Sequence, residues 1–402
     1  MGLLDDKFIV LGVTGGISAY RTCELARMLV KDGAVVQAVL TDAAAEMVGP
    51  VTFQALTGWP AEVGRGGNLA ASGMPHIDMS RSADLIVIAP ATANTLAKIS
   101  WGLADNLLTT TVLASTCPVI LAPAMNTRMW DNPLTKENVE RLQRLERMIL
   151  VGPASGSLAC GDEGPGRMEE PEVIFEAVRT VLSKKDLLGK RVLVTAGPTR
   201  EPLDPVRYLS NRSSGKMGYA LAAAAVRRGA EVTLISGPTG LEAPWGAKAV
   251  FIETASEMAR AVSEHVPKCD MLLMAAAVAD FAPKKTARKK VKKTKAGPSI
   301  ALEKTTDILA QAGKQKGKCL LVGFAAETGN PVPEAKRKLK AKKLDLVVAN
   351  DVSLPDAGFD VDTNRVHLVD KKGAKKLPLL SKEEVAERIL DRAVKMSKRK
   401  RR

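Results

Sequence analysis

Apolar and polar positions alternate along the chain in two similar series. The first opens with the β-rich run Phe8-Ile-Val-Leu-Gly-Val-Thr14 and the pair Gly15-Gly16, then shows helical spacing through Tyr20, Leu25, Met28 and Leu29 to Gly33. That order predicts a strand, a helix and a glycine stop. The second opens with Arg191-Val-Leu-Val-Thr-Ala-Gly197, passes through a longer loop, and resumes at Gly215-Lys-Met-Gly218 with an alanine-rich helix ending near Gly229. A short strand follows each helix, at 34–40 and 231–235. Further continuous apolar runs lie at 85–89, 119–122, 148–151, 271–275, 319–324 and 344–349. Such runs, bounded by turn residues, fit strands covered on both faces. The pattern predicts an α/β protein of two domains with mostly parallel sheets. A helix predicted over about 171–182 precedes the charged stretch Ser183-Lys-Lys-Asp-Leu-Leu-Gly189, which marks the break. We expect a first domain over 1–183, a linker over 184–189, a second domain over 190–398 and a basic tail over 399–402.

The length of 402 residues fits two or three domains, and 46% hydrophobic with 26% charged residues excludes wholesale disorder. The longest apolar stretch, 271–279, falls far short of the ~20 residues of a membrane-spanning helix. Asp5 and Asp6 stand where a secretory signal carries positive charge, so a cytoplasmic protein with no membrane partner is expected. Cys23, Cys117, Cys160, Cys269 and Cys319 are odd in number, widely spaced and form no CxxC, which argues against a disulfide framework and a cysteine zinc site. No metal ligands are assigned.

The net charge of +15 is local. Segment 284–295 carries eight Lys or Arg, 336–343 six and 395–402 six, with no acid among them. These exceed the whole net charge, so the rest of the chain is net acidic. A local field suits a polyphosphate site or a solvated tail, and the absence of aromatics from all three runs weakens the case for single-stranded nucleic acid. Nucleic acid is not the expected partner.

In open parallel sheets, ligands sit beyond the carboxyl ends of the strands. In the first half this points to Gly15-Gly16-Ile17-Ser18, an anion-binding helix start or simply a tight turn. It also points to Thr92, Asn94 and Thr95, whose residue types equally suit N-caps, as does Asn126 in Pro123-Ala-Met-Asn126. The glycine-dense stretch 156–166 reads as a mobile loop over a site. Its Cys160, by composition alone, is more often an inert thiol than a catalyst, and His76, in a Gly/Ser-rich loop, is usually a surface residue. In the second half, 196–218 is too long and polar for an economical connection. Asp280, after the 271–275 strand and before the lysine run, suits a nucleotide, although such a run also serves as a tether.

Gly15-Gly16-Ile17, Pro90-Ala-Thr-Ala-Asn-Thr95, Pro123-Ala-Met-Asn126 and Ala159-Cys-Gly-Asp-Glu-Gly-Pro-Gly-Arg-Met168 occur in order. Together they resemble the phosphopantothenoylcysteine decarboxylase family, flavodoxin-like and FMN-dependent. The resemblance implies FMN held by Gly15, Gly16, Ser18, Thr41, Thr92 and Asn94. It implies oxidation of the thiol of 4′-phosphopantothenoylcysteine toward a thioaldehyde, easy loss of CO2, and reduction of the enethiol. In that chemistry His76 is the base, Asn126 binds the substrate carboxylate and Cys160 returns a proton to the product enethiolate. The family often has glycine before this histidine; here it is Pro75.

The second half resembles phosphopantothenate–cysteine ligase through AGPTREPLDPVRYLSNRSSGKMG (196–218), MAAAVADF (274–281), GFAAET (323–328) and DLVVANDV (345–352). The resemblance implies a Rossmann-like nucleotide-binding domain in which CTP converts the 4′-phosphopantothenate carboxylate to an acyl-cytidylate, which the amine of cysteine attacks. By position, Asn211 would hold the acyl carbonyl, near Arg207, Met274, Ala275 and Ala276. Asp280 would contact cytidine and Lys290 the triphosphate. Thr306, Asp307, Ile308, Leu309, Phe324, Lys338 and Lys342 would complete the nucleotide site, with Mg2+ on the phosphates. The family commonly reads Lys-Asn-Pro-Asp-Ile where this chain has Lys304-Thr-Thr-Asp-Ile308.

The expectation is a bifunctional enzyme of coenzyme A biosynthesis taking 4′-phosphopantothenate, cysteine and CTP. Self-association is implied, with decarboxylase trimers assembling further and ligase dimers. The competing readings are a two-domain flavin/NAD(P) oxidoreductase, disfavoured by the absence of GxGxxG after 191–195, and a catalytically inactive flavoprotein regulatory subunit, disfavoured by the presence of His76, Asn126 and Cys160.

Overall fold

In this computed structural model the described residues are 3–64, 74–157, 161–291, 300–353, 358 and 361–400, with side chains described through 397. Two compact units divide the chain, Met1–Ser183 and Lys184–Arg402.

The first unit is built on six parallel strands: β1 (Phe8–Val13), β2 (Val35–Leu40), β3 (Glu62–Val63), β4 (Leu85–Ala91), β5 (Val119–Pro123) and β6 (Met148–Leu150). Their order is β3-β2-β1-β4-β5-β6. Without the two-residue edge strand β3, this is the 2-1-3-4-5 order of flavodoxin-like sheets. Period-two alternation divides the apolar side chains between two layers. Ile9, Leu11, Val36, Leu85 and Val87 pack with the helices Ala19–Lys31 and Pro171–Leu182, while Val10, Val39, Ile86, Ile88 and Leu121 pack on the other face with Leu96, Leu108, Val112 and Leu142. Both faces are covered, which is why the strands read as unbroken apolar runs. Each fully buried Leu, Ile or Val contributes about 1.5–3 kcal/mol.

Two local expectations change here. The glycine-dense stretch is not a plain loop: β7 (Ala154–Ser157) and β8 (Glu163–Arg167) pair as an antiparallel ribbon. His76 lies in the first turn of the helix Pro75–Ser82 and not in a loop. Pro75 starts that helix because the first helical N–H has no intrahelical acceptor to lose.

The second unit contains β9 (Arg191–Ala196), a hairpin of β10 (Arg200–Pro202) and β11 (Tyr208–Ser210), then β12 (Glu231–Ser236), β13 (Ala247–Phe251) and β14 (Met271–Met274). It continues with a ribbon of β15 (Phe281–Pro283) and β16 (Leu302–Lys304), then β17 (Leu320–Glu327), β18 (Leu346–Asp351), β19 (Thr363–Asn364), β20 (Val366–Asp370), β21 (Gly373–Lys376) and β22 (Leu380–Ser381). The main sheet runs β13-β12-β9-β14-β17-β18-β20-β21. Its first six strands are parallel, in the 3-2-1-4-5-6 order of dinucleotide-binding sheets, and β20 and β21 extend it antiparallel. Gly218, in the helix Lys216–Arg227, faces Ala196; a Cβ there would lie 2.5 Å from the Ala196 Cβ, so glycine sets this close helix–strand approach.

The stretch 184–189, expected as a linker, packs onto this second unit. Leu187 is buried, and Asp186 pairs at 2.7 Å with Arg228, which is 1% exposed and also bonded to Glu387 and Asp391. Burial of that guanidinium requires the acids around it. The last helix, Lys382–Lys400, buries Val385, Ile389 and Leu390 and runs into the segment expected as a tail.

Candidate functional site

In each unit the strand order reverses at its first strand, between β1 and β4 and between β9 and β14. Both crevices carry the motifs.

In the first unit, Thr14 joins the two strand ends. Its Oγ1 donates to Pro90 O at 2.7 Å and accepts from Thr92 N at 3.1 Å. Thr92 caps the helix Ala93–Trp101, and Thr41 caps Asp42–Met47 by accepting from Ala44 N. A cleft of about 870 Å³ opens above these ends, within the range of small-molecule sites. Gly15, Gly16, Ser18, Thr41, Thr92 and Asn94 all line it, joined by Asn106 and Asn126 and by the apolar Ile17, Met125, Met129 and Met168. Met125 and Met129 are thus cleft-lining, and Met129 is exposed. Backbone and side-chain donors at one end with thioethers and an aliphatic wall beside them fit a phosphorylated flavin. Gly15 is required by packing, because a Cβ there would sit 2.5 Å from the Ala43 Cβ.

Asn126 follows β5 and has a fixed orientation. Its Oδ1 accepts from Arg128 N at 2.8 Å, capping the helix Thr127–Trp130, and its Nδ2 donates to Asp162 Oδ2 at 2.9 Å. The cap and the cleft wall are therefore one residue. The ribbon β7–β8 lies against this turn: Met125 N donates to Gly166 O at 2.9 Å, and Gly166 has φ +137° where a Cβ would overlap Met125 O. His76 is not among the residues lining its own chain's cleft. Cys160 lies outside the described residues.

In the second unit, Pro198 bridges to Ala277 across the crevice, and Asn211 Nδ2 donates to Ala277 O at 3.1 Å and Val278 O at 3.0 Å. Ala276 N donates to Thr195 Oγ1 at 3.2 Å, and Ala275 N to Thr195 O. Asn211, Ala275 and Ala276 are thus brought to one strand-end platform, with exposed Asp280 just beyond it. Thr305, at the departure from the family pattern, donates from Oγ1 to Ala279 O and from N to Asp280 O. Asp307 caps the helix Ile308–Gln315 and pairs with Lys342 at 2.8 Å. Thr306 is exposed beside it, while Met274 and Ile308 bury their side chains in the core and Leu309 packs over Gly323. Phe324 is half-buried in β17, and Lys338 pairs with Glu327 at the end of that strand, at 2.8 Å.

Arg207 does not point freely at Asn211. Its guanidinium holds Asp204 Oδ2 at 2.6 Å and reaches Val291 O at 3.2 Å. Asp204 is buried and also accepts from the backbone N–H groups of Val206, Arg207 and Val291. Arg207 first, and then those N–H groups, hold its carboxyl well below the usual range. Exposed Lys290 is therefore moored through its neighbour Val291. Lys216 pairs with Asp362 at 2.6 Å.

Sequence reasoning missed Asp162 and Asp204. Asp162 stood within the ACGDEG motif, and the Asp204-Pro-Val-Arg207 order is that of an Asx turn. Cys269 and Cys319, at the opposite ends of their strands from this site, are free thiols that hydrogen-bond to each other at 3.0 Å. Among the described residues, no group of three or more His, Cys, Asp or Glu is placed to hold a metal, and no helix is long and apolar enough to cross a membrane.

Residues 3–183 match the family model described as flavoprotein, and 187–396 match that of the DNA/pantothenate metabolism flavoprotein C-terminal domain. The chain is 45% identical over 401 residues to the Bacillus subtilis coenzyme A biosynthesis bifunctional protein CoaBC, covering 98% of each. It is 45% identical over 396 residues to the protein of the same name from Escherichia coli K12, covering 97% of each. A crystal structure of the C-terminal domain of a CoaBC protein matches 53% of this chain and 98% of its own at 45% identity, with a TM-score of 0.46. Matches along the full length to bifunctional relatives displace the flavin/NAD(P) oxidoreductase and regulatory-subunit readings. The chain belongs to the CoaBC family of bifunctional proteins of coenzyme A biosynthesis.

Proposed function

We propose that the second unit joins 4′-phosphopantothenate to cysteine at the expense of CTP, and that the first decarboxylates the resulting 4′-phosphopantothenoylcysteine to 4′-phosphopantetheine. The observation that carries this reading is that Gly15, Gly16, Ser18, Thr41, Thr92, Asn94 and Asn126 line one cleft at the strand-order reversal of the first unit, while Asn211, Ala275 and Ala276 meet at that of the second.

In the second unit, the carboxylate of 4′-phosphopantothenate attacks the α-phosphorus of CTP and pyrophosphate leaves. The amine of cysteine then attacks the acyl carbon and CMP leaves. Asn211 holds the acyl oxygen, for which its Nδ2 exchanges a bond to Ala277 O or Val278 O. Asp280 meets the cytidine, Lys290 the triphosphate, and Lys338 and Lys342 border the same site from one helix end. Backbone groups of Met274, Ala275, Ala276, Thr306, Ile308 and Leu309 are the available contacts, since several of those side chains are committed to packing. Mg2+ would neutralise charge on the nucleotide's phosphates, a role that needs few protein ligands.

In the first unit, Gly15, Gly16, Ser18, Thr41, Thr92 and Asn94 hold FMN in the cleft. The bound flavin supplies reversible two-electron chemistry at the substrate's thiol carbon. Asn126 seats the carboxylate that is lost as CO2, Cys160 delivers a proton to the enethiolate, and His76 accepts one at the oxidative step. His76 does not line its own chain's cleft, which favours decarboxylase trimers in which a neighbouring copy supplies it, with the ligase units pairing as dimers. The setting is cytoplasmic.

The test is pyrophosphate release by the full chain. CTP with 4′-phosphopantothenate and Mg2+ is expected to yield pyrophosphate, whereas ATP is expected to yield far less. Equal use of both nucleotides overturns the assignment of CTP.

A further inference from the structure

Asn126 is oriented by the helix it starts. Its Oδ1 accepts from Arg128 N at 2.8 Å, which fixes Nδ2 as the donor end of the amide. A primary amide presented this way is a donor and selects an acceptor, best of all an anion. The group it meets is a carboxylate of the chain itself: Nδ2 donates to Asp162 Oδ2 at 2.9 Å. Asp162 is exposed, adjoins the start of β8, and is carried to Asn126 by the close approach of Gly164 and Gly166 to the Met125–Thr127 turn.

We propose that Asp162 is a positioning and specificity residue that occupies, in the absence of substrate, the seat of the substrate's carboxylate on Asn126. The inference rests on the reading that Asn126 seats that carboxylate. Two carboxylates do not share one amide at hydrogen-bond distance without repulsion. Substrate must therefore displace Asp162, and a ligand with no anionic group at this position has nothing with which to do so. Decarboxylation breaks the Cα–carboxylate bond and CO2 leaves, so the product retains no competitor for Asn126. Asp162 then returns to the amide. The exchange discriminates substrate from product by the one group in which binding at this amide differs.

The test uses the flavin-loaded full chain, Asp162→Asn and Asp162→Ala, and two calorimetric probes. One is 4′-phosphopantothenoylserine, which keeps the carboxylate and lacks the thiol; the other is 4′-phosphopantetheine, which lacks the carboxylate. Both variants are expected to bind the serine analogue ~3–10-fold more tightly than wild type, with affinity for 4′-phosphopantetheine changed less than ~2-fold. KM for 4′-phosphopantothenoylcysteine should fall alongside. An equal change in both affinities means that Asp162 only braces the ribbon and overturns the proposal. So does unchanged or weaker analogue binding in a wild-type background that releases CO2. Failure of wild type itself to release CO2 from 4′-phosphopantothenoylcysteine overturns instead the reading on which the proposal rests.

Discussion

Lys342 Nζ lies 2.8 Å from Asp307 Oδ2 and 3.0 Å from Oδ1, so the end of the helix Val332–Ala341 is tied to the start of Ile308–Gln315. Both residues were expected at the nucleotide site, 35 positions apart in sequence. Burial alone would raise the Asp307 pKa; the lysine and the Ala310 N–H outweigh it and keep the carboxylate ionised. Asp307→Ala removes a helix cap and a charge partner together. Loss of the cap alone is expected to cost about 1 kcal/mol. KM for CTP should rise, and CO2 release from supplied 4′-phosphopantothenoylcysteine should not change. Denaturation and the two separate assays check it.

Gly15→Ala places a methyl group 2.5 Å from the Ala43 Cβ, at the start of the helix whose cap, Thr41, lines the same cleft. Neither partner has a flexible end to move aside, so the turn must shift. The purified variant is expected to retain at least ~10-fold less flavin, read from its visible absorbance, with pyrophosphate release preserved. Full flavin retention would show that the turn does not shape the cofactor site.

Much of this was legible in the sequence. Strands such as Leu85–Ala91, buried along their whole length, leave an unmistakable apolar run, and glycines at strand ends mark turns and close approaches. What was not legible depends on contacts between distant segments. The 156–166 stretch has the composition of a loop, yet Gly156 pairs with Gly164 in a ribbon, and the Met125–Thr127 turn leaves no room for side chains at Gly164 and Gly166. The tie from Arg207 to Val291 was not legible, because only the folded chain brings together segments 84 positions apart. His76 sits in a sequence of loop character, and Pro75 turned it into a helix start.

Asp204 gives a prediction in pH. Its folded pKa is depressed, so its stabilisation is complete above the unfolded carboxylate pKa of about 3.9 and is lost as pH falls through the lower folded value. Asp204→Asn turns an amide N–H toward donors on Arg207 and Val291. The melting temperature of the second unit should drop by a constant amount above about pH 5, and the gap should narrow below about pH 4. KM for CTP should rise as Lys290 loses its mooring. A gap that widens on acidification would show that Asp204 is not held as an anion.

Two separate pockets on one chain should be separately breakable. In one incubation with 4′-phosphopantothenate, cysteine, CTP and Mg2+, pyrophosphate and CO2 are followed independently. Cys160→Ser is expected to leave pyrophosphate release intact while CO2 formation stalls without turnover of the flavin. Asn211→Asp is expected to impair pyrophosphate release yet still release CO2 from supplied 4′-phosphopantothenoylcysteine. Loss of both products in either folded variant would contradict the division of labour between the units.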